Sequence, residues 1–208
     1  MPRSATGLLI SLALVLSSGC ATIFTGTSQT IHVATEPAGS YVVVVGTPMA
    51  PVILAARNST ATTRKVISLL GPIIPEGARA KLQLLDVDEL ITKLVVWAKL
   101  DKIPPELVGH AEHVPAYVRN QLLDLIGVKA FGLSPISPKL KKGQEYAVLT
   151  WREGHKARTA AVDMKFNWVV VVNVFNLFLG VPIDILTGAW FNLTPSKIEL
   201  TLPPIPGS

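Results

Sequence analysis

The sequence predicts an α+β protein in which two β-rich segments flank a helical insertion. Apolar and polar residues alternate in several stretches of residues 20–55 and 143–202, which is the pattern of strands with one buried face. Over residues 56–142 the apolar spacing changes to that of amphipathic helices. We therefore expect a discontinuous β-rich domain made of 20–55 and 143–202, interrupted by a helical insertion over 56–142.

Composition and charge exclude several classes of protein. The chain has 208 residues, of which 49% are hydrophobic and 16% charged, and its formal net charge is +5. Intrinsic disorder needs low hydrophobicity and high net charge, and a disulfide scaffold needs paired cysteines, whereas this chain has one cysteine. The 19 basic residues are scattered rather than striped, so we expect no nucleic-acid partner.

The N-terminal residues have the three parts of a secretory signal peptide. Arg3 supplies a positive charge, residues 7–16 form an apolar run, and small residues lead to Cys20. The run is too short to span a bilayer, which needs about 20 residues. A lone cysteine at this point resembles the bacterial lipoprotein signal, and the alternative is an ordinary signal peptide beside a chance cysteine. We expect residues 1–19 to be removed and Cys20 to be lipidated.

Lipidation of Cys20 implies that the mature protein is tethered to a membrane. Each buried CH₂ group of an acyl chain contributes about 0.8 kcal/mol, and more than one chain gives stable anchoring. Ala21 follows the cysteine. In lipoproteins of Gram-negative bacteria an aspartate at this position favours retention in the inner membrane. By this resemblance we expect a cell-envelope protein anchored by lipid to the outer membrane.

Three strands are predicted in the first β-rich segment, separated by turns that proline and glycine mark. Residues 29–35 alternate between apolar and polar side chains. The β-branched run at 41–45 suits a strand buried on both faces. A short apolar strand is expected at 52–54.

Three or four helices are expected in the insertion. Residues 87–98 place apolar side chains at helical spacing, with acidic residues at the start and Lys99 at the end, the polarity that the helix dipole favours. A second apolar stripe covers 118–126, and Gly127 is the expected C-cap. Shorter helices are predicted at 63–70 and 104–113.

The second β-rich segment also alternates. Strands are predicted at 145–151, 162–166 and 198–202, followed by a proline-rich tail, 203–208, that should fray. Because strands on both sides of the insertion share this pattern, we expect them to join one sheet system. The cost of closing a loop grows only with the logarithm of its length, so we also expect the β-domain to fold after excision of residues 57–140.

A hydrophobic segment over residues 168–191 precedes the last predicted strand. It contains 24 residues and a single charge, Asp184. We expect a helix or helical hairpin packed on the sheet, with partial insertion in the membrane interface or a true span as alternatives. Asp184 is predicted to be a structural carboxylate near a helix start, so Asp184→Ala should lower the free energy of unfolding by about 1–2 kcal/mol.

Candidate chemistry is sparse. His110 and His113 stand three residues apart, a spacing that metal ligands can have, but a solvated helix face is the preferred interpretation. The sequence contains no nucleophile-elbow, phosphate-loop, zinc-protease or dithiol motif. His155 is assigned to shaping a turn. We therefore expect no catalytic residue, no cofactor and no metal.

Six short motifs in order give the β-rich segments a resemblance to small bacterial lipoproteins with a PEGA-type domain. The motifs lie at 20–24, 26–30, 36–40, 46–48, 152–155 and 182–189. His155 replaces the usual tyrosine, Ala38 the usual glutamate, and short relatives lack the insertion. The resemblance covers about half the chain. It implies a small antiparallel β-sandwich at the bacterial surface, without catalytic residues.

Three functions are compatible with the sequence. The leading hypothesis is a non-catalytic envelope lipoprotein that is structural or binds a protein or peptidoglycan partner at the membrane surface. The alternative is a membrane-active or transport-accessory lipoprotein whose insertion and C-terminal apolar segment engage lipid. The third hypothesis, which the sequence supports least, is a hydrolase that uses His110 or His113. A large apolar patch on the insertion would indicate a binding site or membrane contact, and a closed core would indicate a spacer.

Overall fold

A computed structural model describes residues 26–55, 60–71, 74, 76–112, 114–168 and 190–206. The predictions for the signal peptide, Cys20, His113 and Asp184 lie outside the described residues. So does the hydrophobic segment except at its two ends.

The described residues form an α+β structure, which confirms the predicted class. The strands are β1 (Ser28–Thr30), β2 (His32–Glu36), β3 (Tyr41–Val45), β4 (Val128–Leu133), β5 (Lys139–Lys141), β6 (Tyr146–Trp151), β7 (Arg158–Phe166), β8 (Phe191–Thr194) and β9 (Lys197–Thr201). The helices are α1 (Met49–Ala55), α2 (Thr60–Leu70), α3 (Glu76–Leu82), α4 (Val87–Leu100) and α5 (Ala116–Ile126), with a 3₁₀ turn at Pro105–Leu107.

The chain forms two compact units. The described residues of the first unit are 26–30, 139–144, 164–168 and 190–194, and the remaining described residues form the second. This division differs from the predicted one, in which residues 56–142 stood apart from the β-rich segments. The physical reason is that strand β3 and the helices bury their apolar side chains in one common core.

The second unit is built on antiparallel strands in the order β4-β3-β6-β7. In the centre, Val43 of β3 lies opposite Leu149 of β6. Strand β2 pairs in parallel with β9, with His32 opposite Lys197. The prediction that strands before residue 55 and after residue 143 join one sheet system is therefore confirmed.

Helix α4 packs against strands β3 and β6. Alternate residues of the two strands, Val43 and Val45 together with Ala147 and Leu149, are fully buried in the same cluster as the helix. Four apolar side chains of α4 have no solvent exposure: Leu90, Ile91, Leu94 and Val95. Burial of each such side chain contributes about 1.5–3 kcal/mol, so this layer supplies much of the unit's stability.

The described helices of the insertion bury apolar side chains in this core. Buried apolar residues of α2, α3 and α5 belong to the same cluster as those of α4. Among the described residues of 56–142, the large apolar side chains that stay exposed are Leu69, Leu84, Leu100, Val108, Tyr117, Leu125 and Leu133. Single exposed apolar residues are normal on soluble surfaces.

Three predictions about local structure are wrong. The segment 49–55 is helix α1 and not a strand at 52–54, because Pro51 in a first helical turn loses no hydrogen bond. Strands β4 and β5 lie in the range predicted to be helical, since pairing with distant strands decides their conformation. Only a 3₁₀ turn forms after Pro104.

The predicted C-cap at Gly127 is confirmed. Its φ of 74° is left-handed, and its N–H donates to the carbonyls of Leu123 and Asp124. A Cβ at this position would lie 2.9 Å from the backbone oxygen of Thr47. Glycine is therefore required both by the backbone angle and by the close approach of the chain before α1.

We expect Gly127→Ala to lower the free energy of unfolding by about 2–3 kcal/mol. The left-handed conformation accounts for about 1–2 kcal/mol and the contact with Thr47 for the remainder. Gly109→Ala is the matched control, because Gly109 has a φ of 78° and nothing within 4 Å of its Cβ position. Urea unfolding of both variants is the measurement, and equal losses would contradict the packing argument.

The first unit is held together by short strands and one glutamine. Strand β1 pairs antiparallel with β5, with Ser28 opposite Lys141. The side chain of Gln29 donates to the carbonyl of Leu193 at 2.8 Å and accepts from its N–H at 2.9 Å, so β8 is fixed beside β1. The N–H of Asn167 donates to the carbonyl of Trp190 at 2.7 Å.

In the part of the chain that the structure describes, no helix is long and apolar enough to cross a membrane.

Candidate functional site

A row of aromatic rings crosses three strands of the second unit. Tyr41 of β3 lies directly opposite Trp151 of β6, and Phe131 of β4 is its diagonal neighbour. The ring centroid of Tyr41 lies 6.0 Å from that of Phe131 and 6.0 Å from that of Trp151. The interplanar angles are 9° with Phe131 and 14° with Trp151. Cross-strand aromatic pairs stabilise a sheet and hold one another in a fixed orientation.

Two lysines reach over this row from the helical side. The Nζ atom of Lys93 in α4 lies 5.7 Å from the ring centroid of Trp151. That of Lys102 lies 5.8 Å from the ring centroid of Tyr41 and donates to its hydroxyl at 3.0 Å. A cation is attracted by the negative face of an aromatic ring, so these contacts join the segment around α4 to the sheet.

Lys93 is fixed by two carboxylates. Its Nζ lies 2.8 Å from Glu89, one helical turn earlier, and 2.7 Å from Glu106 in the 3₁₀ turn. Burial lowers the pKa of Lys93, but the hydrogen bonds and charges of Glu106 and Glu89 outweigh burial and raise it above its ordinary value. The ammonium group is therefore charged and held in place, with 9% of the residue exposed.

The raised pKa of Lys93 predicts a loss of stability at high pH. The stabilisation is complete below the unfolded-state value of 10.5 and disappears as the pH rises through the higher folded-state value. We expect Lys93→Met to cost about 1–2 kcal/mol at pH 8, allowing for solvent screening of the partly exposed carboxylates of Glu89 and Glu106. The difference from wild type should shrink above pH 10.5 in urea unfolding. A difference in unfolding free energy that does not change with pH would contradict this explanation. An equal difference in Lys99→Met, where the lysine is exposed, would also contradict it.

An open groove of about 490 Å³ lies beside the aromatic row. Tyr41 and Trp151 line it from the sheet. Its apolar lining is Val96, Ile103, Pro104, Pro105 and Ile205. Its charged and polar lining is Glu89, Lys93, Lys102, Glu153 and His155. We call this set of residues the groove, and its size and mixed lining are those of a ligand-binding cleft.

The groove continues into a second cleft of about 380 Å³. The two share Glu89 and Ile205, so they adjoin. Acidic residues at the start of α4 line the second cleft on one side and Lys156 and Arg158 line it on the other. Together the two clefts offer a path for an elongated ligand rather than a closed pocket for a small one.

The two lysines of the groove are already engaged by other side chains. Lys93 and Lys102 are engaged by carboxylates and a phenol, so neither is poised as a nucleophile. His155 closes the β6–β7 turn: its N–H donates to the carbonyl of Arg152, and its Nδ1 lies 3.1 Å from the carbonyl of Glu153. This agrees with its predicted role in shaping a turn.

A second surface lies in the first unit and is aromatic. Phe166 makes edge-to-face contacts with Trp168, Trp190 and Phe191, at centroid distances of 5.4, 5.8 and 6.5 Å. Phe166 is 40% exposed and Trp168 is 74% exposed. An aromatic cluster with this exposure is a candidate contact site.

The same unit is basic. Its described residues include Lys139, Lys141, Lys142 and Lys165 and contain neither Asp nor Glu. Three of these lysines are exposed, while Lys142 is buried and burial lowers its pKa. We call the four aromatic residues together with Lys139, Lys141 and Lys165 the aromatic–lysine surface.

Of the predicted histidine pair, His110 lies among the described residues. His110 lies in an exposed turn and not on a helix face, and its ring packs over Gly77. His113, Cys20 and Asp184 lie outside the described residues. Among the residues that are described, no three His, Cys, Asp or Glu side chains are grouped to hold a metal ion.

Sequence reasoning missed the groove. The spacing of Glu89 and Lys93 by one helical turn is visible in the sequence, and it predicts a local ion pair. The contact of Lys93 with Glu106 and the pairing of Tyr41 with Trp151 depend on tertiary packing and strand register. No local signal could have found these two contacts.

Fold and groove together define an α+β protein with an open, aromatic-lined binding groove. No family model, curated protein or solved structure matches the chain.

Proposed function

We propose that this protein is a non-catalytic, lipid-anchored protein of the bacterial cell envelope that binds an extended partner in the groove. The observation that carries the proposal is the groove itself, where rigid aromatic rings and an apolar wall adjoin charged side chains already held in position. Rings that are fixed before binding lose little conformational entropy when a partner packs on them.

The partner belongs to one of two envelope classes, a segment of another protein or a peptidoglycan strand. Both are elongated, and both combine apolar surface with hydrogen-bonding groups. The paired charges of the groove supply acceptors from Glu89 and Glu153 and a donor from Lys102. A balanced set of donors and acceptors suits a partner without a strong net charge.

The proposal also covers the lipid anchor, the type of β-domain and the conformation of the hydrophobic segment. Lipidated Cys20 would hold the body at the outer membrane, with the membrane as a constant partner and no cofactor required. The motif series resembling PEGA-type lipoproteins supports a small antiparallel β-sandwich-like domain. The hydrophobic segment 168–191 is proposed to be a C-terminal helix or helical hairpin.

Site-specific photo-crosslinking in intact cells tests the groove. A benzophenone amino acid replaces Ile103, which lines the groove, or Tyr117, which is exposed on α5 away from it. We expect a discrete adduct from position 103 and none from position 117. Trp151→Ala in the same background should reduce the yield at least tenfold, because it removes one of the two rings.

Digestion of the adduct separates the two partner classes. An adduct shortened by a muramidase identifies a glycan strand, and one shortened only by protease identifies a protein. Equal labelling at positions 103 and 117, or an adduct at 103 that persists undiminished in Trp151→Ala, would contradict binding in the groove.

The alternative function, lipid engagement by the insertion, receives less support. Its helices bury their apolar faces in the core of the second unit. The exposed aromatic cluster of Phe166 and Trp168 lies instead in the first unit, and it carries a separate inference.

A further inference from the structure

The aromatic–lysine surface stands where the chain meets its most apolar stretch. Trp168 and Trp190 are the described residues on either side of residues 169–189, a stretch that contains one charged residue in 21. Tryptophan and other aromatic rings concentrate at membrane–water interfaces, since an apolar ring with a polar edge suits the headgroup region. A lipid interface would cover the exposed rings of Phe166 and Trp168.

The two ends of that stretch are adjacent. The N–H of Asn167 donates to the carbonyl of Trp190 at 2.7 Å, and Phe166 contacts the rings of both tryptophans. Residues joined at this distance lie on the same side of a bilayer, whose hydrocarbon core is about 30 Å thick. If the unit contacts a bilayer, Asn167 and Trp190 therefore meet the same face of it.

The charge of the unit is complementary to an anionic bilayer. Exposed Lys139 and Lys141 lie on β5, which is paired with β1, and Gln29 of β1 fixes β8, the strand that begins at Phe191. Exposed Lys165 precedes Phe166 within β7, so its side chain leaves the opposite face of the strand and its long stem must reach the headgroups around the end of the strand. Lysines near a membrane surface are attracted by anionic headgroups. The described residues of the unit contain no acidic residue, and exposed Glu145 and Asp163 each lie one residue outside it in sequence.

From these observations we propose that the aromatic–lysine surface docks on a phospholipid bilayer that contains anionic lipid. The rings of Trp168 and Phe166 enter the interface, and the lysines contact the headgroups. This contact is independent of the acyl chains on Cys20 and of the groove. It gives the first unit a defined orientation on the membrane.

Vesicle flotation tests the proposal with residues 20–208 carrying Cys20→Ala, a mature chain that has neither the signal peptide nor lipid. The vesicles are phosphatidylcholine alone or with about one third phosphatidylglycerol. We expect binding to the anionic vesicles to be at least tenfold tighter, and to weaken when salt screens the lysines.

Two sets of variants locate the contact. Trp168→Ser and the pair Lys139→Glu/Lys165→Glu should each weaken binding at least tenfold. Leu84→Ser and Lys99→Glu are the matched controls, because both residues are exposed and lie in the second unit. Circular dichroism of every variant verifies that the fold is intact.

Quenching of tryptophan fluorescence by lipid supplies a second measurement, which does not require a variant that binds vesicles more weakly. Lipid brominated near the headgroup end of its acyl chains should quench tryptophan fluorescence in the wild-type protein. The quenching should disappear in Trp168→Phe/Trp190→Phe, which retains Trp97 and Trp151 in the second unit.

The proposal is overturned by equal binding to neutral and anionic vesicles, or by binding that survives both sets of changes. It is also overturned if the controls weaken binding as much as Trp168→Ser does. Quenching that persists in the double phenylalanine variant would place the contact elsewhere. None of these results bears on the photo-crosslinks from position 103, so failure of this proposal is distinguishable from failure of the groove.

Discussion

Excision of residues 57–140, rejoined by a short Gly/Ser linker, is expected to leave an unfolded chain. The deletion removes α4 from the faces of β3 and β6 and removes β4 from the edge of β3. Side chains that are now fully buried, Val43 and Leu149 among them, would face water. At about 1.5–3 kcal/mol for each side chain, the loss exceeds the 5–15 kcal/mol that typically stabilises a domain.

Circular dichroism and urea unfolding of the deleted chain check this result. The control is the same linker inserted after Gly109, where the surroundings are open, without any deletion. We expect the control to unfold cooperatively near the wild-type midpoint and the deleted chain to show no cooperative transition. A cooperative transition in the deleted chain would reinstate the expectation, drawn from the sequence alone, that the β-domain folds without the insertion.

Cys20→Ala is expected to change how the protein is released from membranes. We expect detergent to be required for the wild-type protein and high salt to be sufficient for the variant. Under the proposed lipidation the variant lacks the acyl chains, and each buried CH₂ group of those chains would contribute about 0.8 kcal/mol to anchoring. The residual, salt-sensitive association would come from the aromatic–lysine surface. Fractionation of cells expressing each form is the measurement.

Ser18→Ala is the control for this change, because it alters the signal segment and keeps the cysteine. It should remain in the detergent-extracted fraction. Mass spectrometry of the mature wild-type protein supplies the direct check. An unmodified thiol at Cys20 would refute lipid anchoring whatever the fractionation shows.

Local patterns in the sequence predicted the central elements correctly. The β-branched run at Tyr41–Val45 is a strand with both faces buried, and the helical spacing of residues 87–98 is helix α4. In both cases the spacing of the apolar residues matches the faces that are buried in the folded protein. The conformation that the local sequence favours is therefore also the one that buries these residues.

Elements that depend on distant partners were not predictable in the same way. Strand β4 has only a weak alternation of its own, and its conformation follows from pairing with β3. Met49–Ala55 contains a proline and follows a turn, so its composition favoured a break, yet packing in the core makes it a helix. Tertiary contacts override local preference at these positions.

The groove also combines features that the local sequence predicts with features that depend on distant contacts. Its charged residues are visible in the sequence as ordinary surface positions of a helix and a turn. They become a site because strand register places Tyr41 opposite Trp151, and because the 3₁₀ turn carries Glu106 back to Lys93. Register and turn geometry follow from the whole fold, which a single sequence without relatives does not reveal.

The parallel pairing of β2 with β9 sets an order of events during synthesis. Strand β2 is among the first of the described elements to be made, and its partner at Lys197–Thr201 is the last. The ladder cannot close until almost the whole chain has emerged, and pairings between distant segments form slowly. Strand β2 therefore lacks its partner β9 until the end of synthesis. Under the proposed envelope location, this late pairing would leave the ladder open while the chain crosses a membrane.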